Sequence, residues 1–405
     1  MKKYFNLFIL AFALLFAITV KVNAESCTDN CAAQIGTAKY DTLQEAIANV
    51  KDGETIELLK DITDVSANIK IEGEKGTSVT IDGKGKTVSG SAKKVFEIYN
   101  KDDVEGAEQF TVTFKDVTIK TTATEGRDID TRTSNIKLAL DDVKLITTSA
   151  ANNQVITVGN SLKKNITLDL NKLTIEAGVA GYGIIVFNPS TINITNSDIK
   201  GYAALYMKGG SEGSKVTVKD SKLTGTSDHD GATDNFATIA LEDDGINIDI
   251  IDSTVEVTGS GKAKQVAFSQ GSNLTVEKEN TIKISGESEV IVRPEGFIMN
   301  QTGAKIVVEA GVSTNLEIPE EFLPEGVIVE KDNDGNFIVV QEVVEEPTEE
   351  DKTPEKEEVK EEVKETEKEE VKNPETGDNV VTYILIGLMS LIAFGYASNK
   401  LRKNA

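Results

Sequence analysis

Tryptophan is absent from the 405 residues, histidine occurs once, cysteine twice, proline seven times, and aromatics make up only 5%. Each shortage removes a class of chemistry. Sugar clefts favour flat aromatic platforms, and this chain has little to build them from. Two thiols, Cys27 and Cys31, with no histidine nearby do not fill a tetrahedral metal site. In an exported chain they would instead close a small disulfide loop. The lone His229 has no cysteine beside it, and neither a Gly-rich phosphate loop nor a nucleophile elbow is present. Cations are outnumbered, with 43 Lys and Arg against 67 Asp and Glu, for a formal charge of −24. Such a surface repels nucleic acid and anionic lipid, and suits solubility or contact with cations and basic partners.

The two ends carry the longest apolar runs. Lys2 and Lys3 precede an apolar stretch from Phe5 to Val20, and Val22-Asn23-Ala24 supplies small residues before Glu25. This pattern predicts a secretory signal peptide over 1–24, cleaved between Ala24 and Glu25. At the other end, Asn373-Pro374-Glu375-Thr376-Gly377 is followed by an uncharged run from Val380 to Tyr396, then Lys400, Arg402 and Lys403. As helix that run measures roughly 26 Å, close to a bilayer's hydrocarbon thickness. The cations behind it favour the cytoplasmic side, and Pro374 keeps Asn373 extended. Residues 378–405 therefore read as a transmembrane segment with a basic tail.

The order of these parts resembles the sorting signal of Gram-positive surface proteins (LPxTG-like, with Asn373 where the family usually has Leu). The resemblance implies that a sortase cuts between Thr376 and Gly377 and joins Thr376 to peptidoglycan. It implies a membrane-bound precursor and a secreted product anchored to the cell wall. An ordinary uncleaved membrane anchor is the alternative.

Between the ends, Thr42-Leu43-Gln44-Glu45 fits a capping box. Leu43, Ala46, Ile47 and Val50 share a helical face, and Gly53 is read as the stop before a strand at Thr55–Leu59. From about 55 to about 315, short Val/Ile/Thr segments alternate with Gly, Asn, Asp and Ser. A bend motif recurs, with apolar residues on either side of an Asp or Asn followed by a small residue. Its strict copies centre on Asp116, Asp142, Asn196, Asp220 and Asp252, and its looser ones on Lys172 and Thr281. A period in the twenties with strand composition predicts a β-solenoid, with the Asp/Asn side chains laddered at the bends. Inner faces are read at Ile192/Ile194, Val216/Val218 and Ile246/Ile248/Ile250, with Asn193, Thr217, Asn247 and Asp249 outward. About ten turns of about 26 residues would make a rod of roughly 50 Å.

This capped helix and these repeats resemble the right-handed parallel β-helix of the pectate-lyase-like superfamily. The expected fold is all-β: a solenoid ectodomain over 25–316 with an N-terminal cap, then a closing hairpin over 317–341. An antiparallel sandwich is the structural rival, but it would show turns every 8–12 residues. Within the hairpin, Asp332-Asn333-Asp334-Gly335-Asn336 reads as a turn; a calcium loop is the other reading, though its spacing does not match the EF-hand. Residues 342–372 are acidic low complexity, with Lys-Glu-Glu-Val repeats too poor in apolar residues to form a core. They read as a wall-spanning stalk ending at the sorting motif, 373–377.

The superfamily contains polysaccharide lyases and hydrolases, so catalysis has to be weighed against fold alone. The candidate residues are Asp228, His229 and Asp230, with Asp234 nearby, in the insert between Asp220 and Asp252. The bland reading of that insert is a solvated acidic loop. Lyases of this fold use Arg or Lys as base beside calcium. This chain has four arginines, and Arg293-Pro294 does not continue into their pattern. The expectation is a display rod, adhesin-like or structural, contacting host or neighbouring-cell surface molecules without a cofactor. A surface polysaccharide lyase or hydrolase is the second reading, and a calcium-stabilised rod the third.

Overall fold

The computed structural model describes Cys27 and residues 29–342, apart from 105, 149–152, 160–163, 179–180, 228–236, 260–264, 271–277, 293–295 and 300–303. The chain divides into a unit ending at Val344 and a unit Glu345–Ala405. The second unit lies outside the described residues, and with it most of the stalk, the sorting motif and the apolar run. Among the described residues, no helix is long and apolar enough to cross a membrane.

The described chain is mostly β, arranged in one sheet of 20 strands and one of nine. Through both sheets, strands pair in parallel with the strand one repeat later. The reason is visible in the alternation. In the larger sheet Val112, Leu138, Leu168, Ile192, Val216, Ile248, Ile282 and Ile306 stand in register and are buried. A second column two residues on runs from Phe114 through Leu140, Leu170, Ile194, Val218 and Ile250 to Ile284 and Val308. Neighbours in such columns sit about 4.8 Å apart, so each repeat covers the apolar face of the last. Outward positions are polar, and several hold diagonal ion pairs between repeats, as Lys137 with Asp169 (2.6 Å) and Lys222 with Glu256 (2.6 Å).

Asp116, Asp142, Lys172, Asn196, Asp220 and Asp252 all adopt left-handed backbone, with φ between 45° and 57°. Short polar side chains tolerate that region best, which explains the recurring Asp/Asn. Two corrections follow. Thr281 is not a bend residue, because it lies within the strand Asn280–Ser285, opposite Asn247. The bend after Asp252 falls at Gly286 (φ 66°), whose neighbour Glu287 donates its N–H to the Asp252 carboxylate at 3.0 Å. The chain between these two repeats is longer than the motif spacing allowed for. The second correction concerns the ladder. From Asn196 onward serine shares the rung-to-rung bonding with the Asp/Asn side chains, of which Asn196 donates to Asn171 at 3.0 Å and Asp252 accepts from Glu287. Ser197, Ser221, Ser253 and Ser288 each accept a backbone N–H from the repeat before, at 3.0–3.1 Å. Each hydroxyl donates in turn to a carbonyl two or three residues upstream.

Both ends are closed. At the N-terminus, Leu43–Asn49 is a helix with the Thr42–Glu45 capping box formed. It ends at Val50 in extended backbone, and Gly53 lies in the following turn rather than at the cap. The Gln44 amide bonds both the N–H and the carbonyl of Lys70, so a side chain completes the exposed edge of the nine-stranded sheet's first strand, Ile69–Gly73. Ala33–Ile35 pairs antiparallel with Thr55–Leu58 beside the Cys27–Cys31 disulfide. At the C-terminus, Val327–Lys331 and Phe337–Gln341 form an antiparallel hairpin that also pairs with Ser313–Thr314. Its turn is fixed by Asp332, which accepts N–H groups from Asp334 and Asn336.

Candidate functional site

The outer face of the nine-stranded sheet carries side chains that do not repeat. In register across successive strands stand Glu97, Asp130, Thr157, Ile185, Tyr206, Ala240 and Ser269. Beneath them Phe96, Ile129, Ile156, Ile184, Leu205, Ile239 and Phe268 are fully buried in the core. The sheet thus presents a floor whose outer column, itself buried, is charged at some strands and apolar or aromatic at others. A groove of about 680 Å³ runs over it, from Lys94 and Arg127 past Gln154 to Tyr182, Phe187, Tyr206 and Lys208.

Its first end is ionic. Three cations converge on one oxygen of Asp130: Lys94 at 3.1 Å, Arg127 at 3.0 Å and Arg132 at 3.3 Å. The Asp130 side chain is fully buried, whereas the two arginines keep 25% and 28% of theirs exposed. Lys94 also reaches Glu97 at 2.5 Å. Burial would raise the Glu97 carboxyl, but hydrogen bonds from Lys94 and Asn68 outweigh it and hold it below the usual range.

The other end is aromatic. Tyr182 stacks on Tyr206 with centroids 5.4 Å apart, and meets Tyr202 edge-on at 5.7 Å. The Tyr206 hydroxyl donates to Glu242, which pairs with Lys208 at 3.3 Å, and the Lys208 ammonium lies over the Tyr206 ring. Burial, then Tyr202 and Glu242, push the Tyr182 phenol up to about 12. Burial and the bond to Glu242 also raise the Tyr206 phenol. With phenols kept protonated and Glu97 kept ionised, these groups donate and accept hydrogen bonds without exchanging protons near neutral pH.

Asp228, His229, Asp230 and Asp234 lie outside the described residues, as do Ala24, Glu25 and Asn373, Pro374, Glu375, Thr376 and Gly377. Asp332 spends its carboxylate on the turn, with both oxygens bonded to Asn336 or Asp334. Among the described residues no group of three or more His, Cys, Asp or Glu could hold a metal ion. The bend row of Asp142, Asn196, Asp220 and Asp252 lines a shallow concavity that Lys172 interrupts.

The groove residues were not singled out from the sequence. A signal existed in the strand starts Lys94, Gln154 and Tyr182, each followed by an apolar pattern, and in Arg127, followed by Asp128-Ile129-Asp130, all set between the bend motifs. Two of the four arginines, Arg127 and Arg132, fall within five residues of each other there. Compared with known proteins, the chain matches no family model, no curated protein and no solved structure.

Proposed function

We propose that this is a secreted surface protein, anchored to a Gram-positive-type cell wall through Thr376, whose two parallel sheets are faces of one right-handed β-helix. It acts as an adhesin-like or structural display rod, and the groove over the nine-stranded sheet is its contact site. The observation that carries wall display is the C-terminal order of Asn-Pro-Glu-Thr-Gly, apolar run and basic tail. The rod is supported by parallel pairing that continues strand by strand from Thr55–Leu58 to Ser313–Thr314. A sortase and peptidoglycan are the partners in anchoring, and the acidic segment 342–372 serves as the stalk.

Intact mass of protein released from the producer's wall by a muralytic enzyme tests the anchoring. A chain ending at Thr376 with a peptidoglycan fragment attached is expected. A chain ending at Ala405 in the membrane fraction alone would remove it.

The second reading, a polysaccharide lyase or hydrolase, is favoured by one observation. The insert holding Asp228, His229 and Asp230 runs directly into Ile239–Leu241, a strand of the groove sheet. Glycan turnover abolished by His229→Ala would establish it in place of display alone.

A further inference from the structure

The ionic end of the groove is out of balance with the rest of the chain. Lys93, Lys94, Arg127 and Arg132 face three carboxylates, Glu97, Glu125 and Asp130, which leaves one cation in excess on a protein of charge −24. Each arginine commits a single terminal nitrogen to Asp130, while a guanidinium offers five N–H donors in a planar fork. The remaining donors suit a carboxylate, which the fork grips through two parallel bonds. An anion approaching this acidic chain is repelled almost everywhere else and steered to this point.

The apolar end limits what carries that carboxylate. Tyr206 is only 3% exposed, and its ring is taken up by Tyr182 and Lys208. A sugar ring needs an open aromatic face, and Tyr206 offers none. Phe187 and the rim of Tyr182 remain partly exposed beside the buried Ile185, a contact suited to an aliphatic side chain. From the strand Arg127–Thr131 to the strand Tyr182–Val186 there are two strand spacings, about 9.6 Å. A peptide in polyproline II conformation, with three residues per turn and about 3.1 Å of rise per residue, covers that distance in three residues and keeps the first and fourth side chains on one face.

We propose that the groove binds an acidic peptide in polyproline II conformation, with an Asp or Glu carboxylate on the fork of Arg127 and an aliphatic side chain three residues away against Phe187 and Tyr182. This deepens the display reading by naming the class of partner, a protein surface bearing an acidic linear segment.

The test is fluorescence anisotropy of a short labelled peptide with one glutamate and a leucine three residues on, titrated with the full chain in mild detergent. Saturable binding is expected. It should weaken at least tenfold in Arg127→Ala, in Phe187→Ala and with glutamine in place of the glutamate, and it should weaken steadily with salt. Circular dichroism of both variants separates lost binding from lost fold, and Phe187→Ala leaves the ionic cluster intact. No saturable binding, or binding indifferent to the glutamine peptide and to both variants, would overturn the proposal. So would preferential binding of a labelled uronate oligosaccharide, which would give the groove to a glycan. Wall attachment is not involved in this measurement, so either reading can fail without the other.

Discussion

The larger sheet solves one problem in two ways. In the first block, Phe110–Thr121, Ile136–Thr147 and Ile166–Glu176 are single long strands that pass through the left-handed residue without a break. The residue after the bend is Val117, Val143 or Leu173, each buried. In the second block each long strand is replaced by a pair, as Ser190–Thr195 with Asp198–Gly201 and Lys215–Lys219 with Lys222–Gly225. There the residue after the bend is Ser197, Ser221 or Ser253. The register is continuous across the junction, and Leu173 hands its N–H to the Ser197 hydroxyl. A buried aliphatic side chain with backbone pairing and a buried hydroxyl that accepts the same N–H are thus alternative ways to hold a repeat to its neighbour. The first contributes apolar burial, and the second avoids leaving a donor unsatisfied where the strand is interrupted.

The contrast predicts a graded series. Moving the second solution into the first block should cost most. Leu173→Ser removes a fully buried side chain and inserts a hydroxyl, so urea unfolding should show a loss of about 3–5 kcal/mol. A loss under about 1 kcal/mol would mean the blocks are interchangeable. Within the second block, Ser221→Ala leaves the Ser197 N–H without its acceptor and should cost about 1–3 kcal/mol. Its amide proton should also exchange faster.

Asp128 belongs to the first block's side of the smaller sheet. It is fully buried, and burial raises its carboxyl well above the ordinary 3.8, against a weaker pull from the backbone at Thr121 and Ile146. A raised folded-state value means its favourable contribution is complete below the unfolded value of 3.8 and is lost as pH rises from there through the higher folded-state value. Asp128→Asn should therefore raise the melting temperature at neutral pH and leave it nearly unchanged near pH 3.5; the reverse order would show the carboxylate to be ionised and stabilising. The smallest effect is expected at Lys172, the longest side chain among the first block's bends and left-handed at φ 51°. Lys172→Asn should stabilise by about 0.5 kcal/mol, since Asn tolerates that backbone better.

Much of the larger sheet was legible because its constraint acts on side chains. The left-handed bend selects Asp or Asn, and the core selects alternating aliphatics at Ile192/Ile194 and Val216/Val218. The bend at Lys84–Gly85 (φ 51° and 73°) escaped notice because neither residue is Asp or Asn. Thr281 was misplaced because longer connections separate the late repeats. Asp252 answers to Gly286, where glycine tolerates the left-handed backbone without an Asp/Asn signature. The groove was illegible for the opposite reason. The outer column Glu97, Asp130, Thr157, Ile185 and Tyr206 repeats no residue type from strand to strand, so it offers no pattern to find. The convergence of Lys94, Arg127 and Arg132 on Asp130 arises only once the strands lie side by side.

The account depends on one parallel register running through both blocks, and paired cysteines test it most directly where sequence and structure disagree. Asn247 and Thr281 stand opposite each other. Motif spacing alone would set Asp252 beside Thr281. Under mild oxidation, Asn247→Cys with Thr281→Cys should close a disulfide in the folded protein, seen as an intact mass lower by two hydrogens and a tryptic cross-link. Asp252→Cys with Thr281→Cys should stay reduced. Cross-linking of the second pair and not the first would contradict the register, and with it the serine ladder and the groove built on the same repeats.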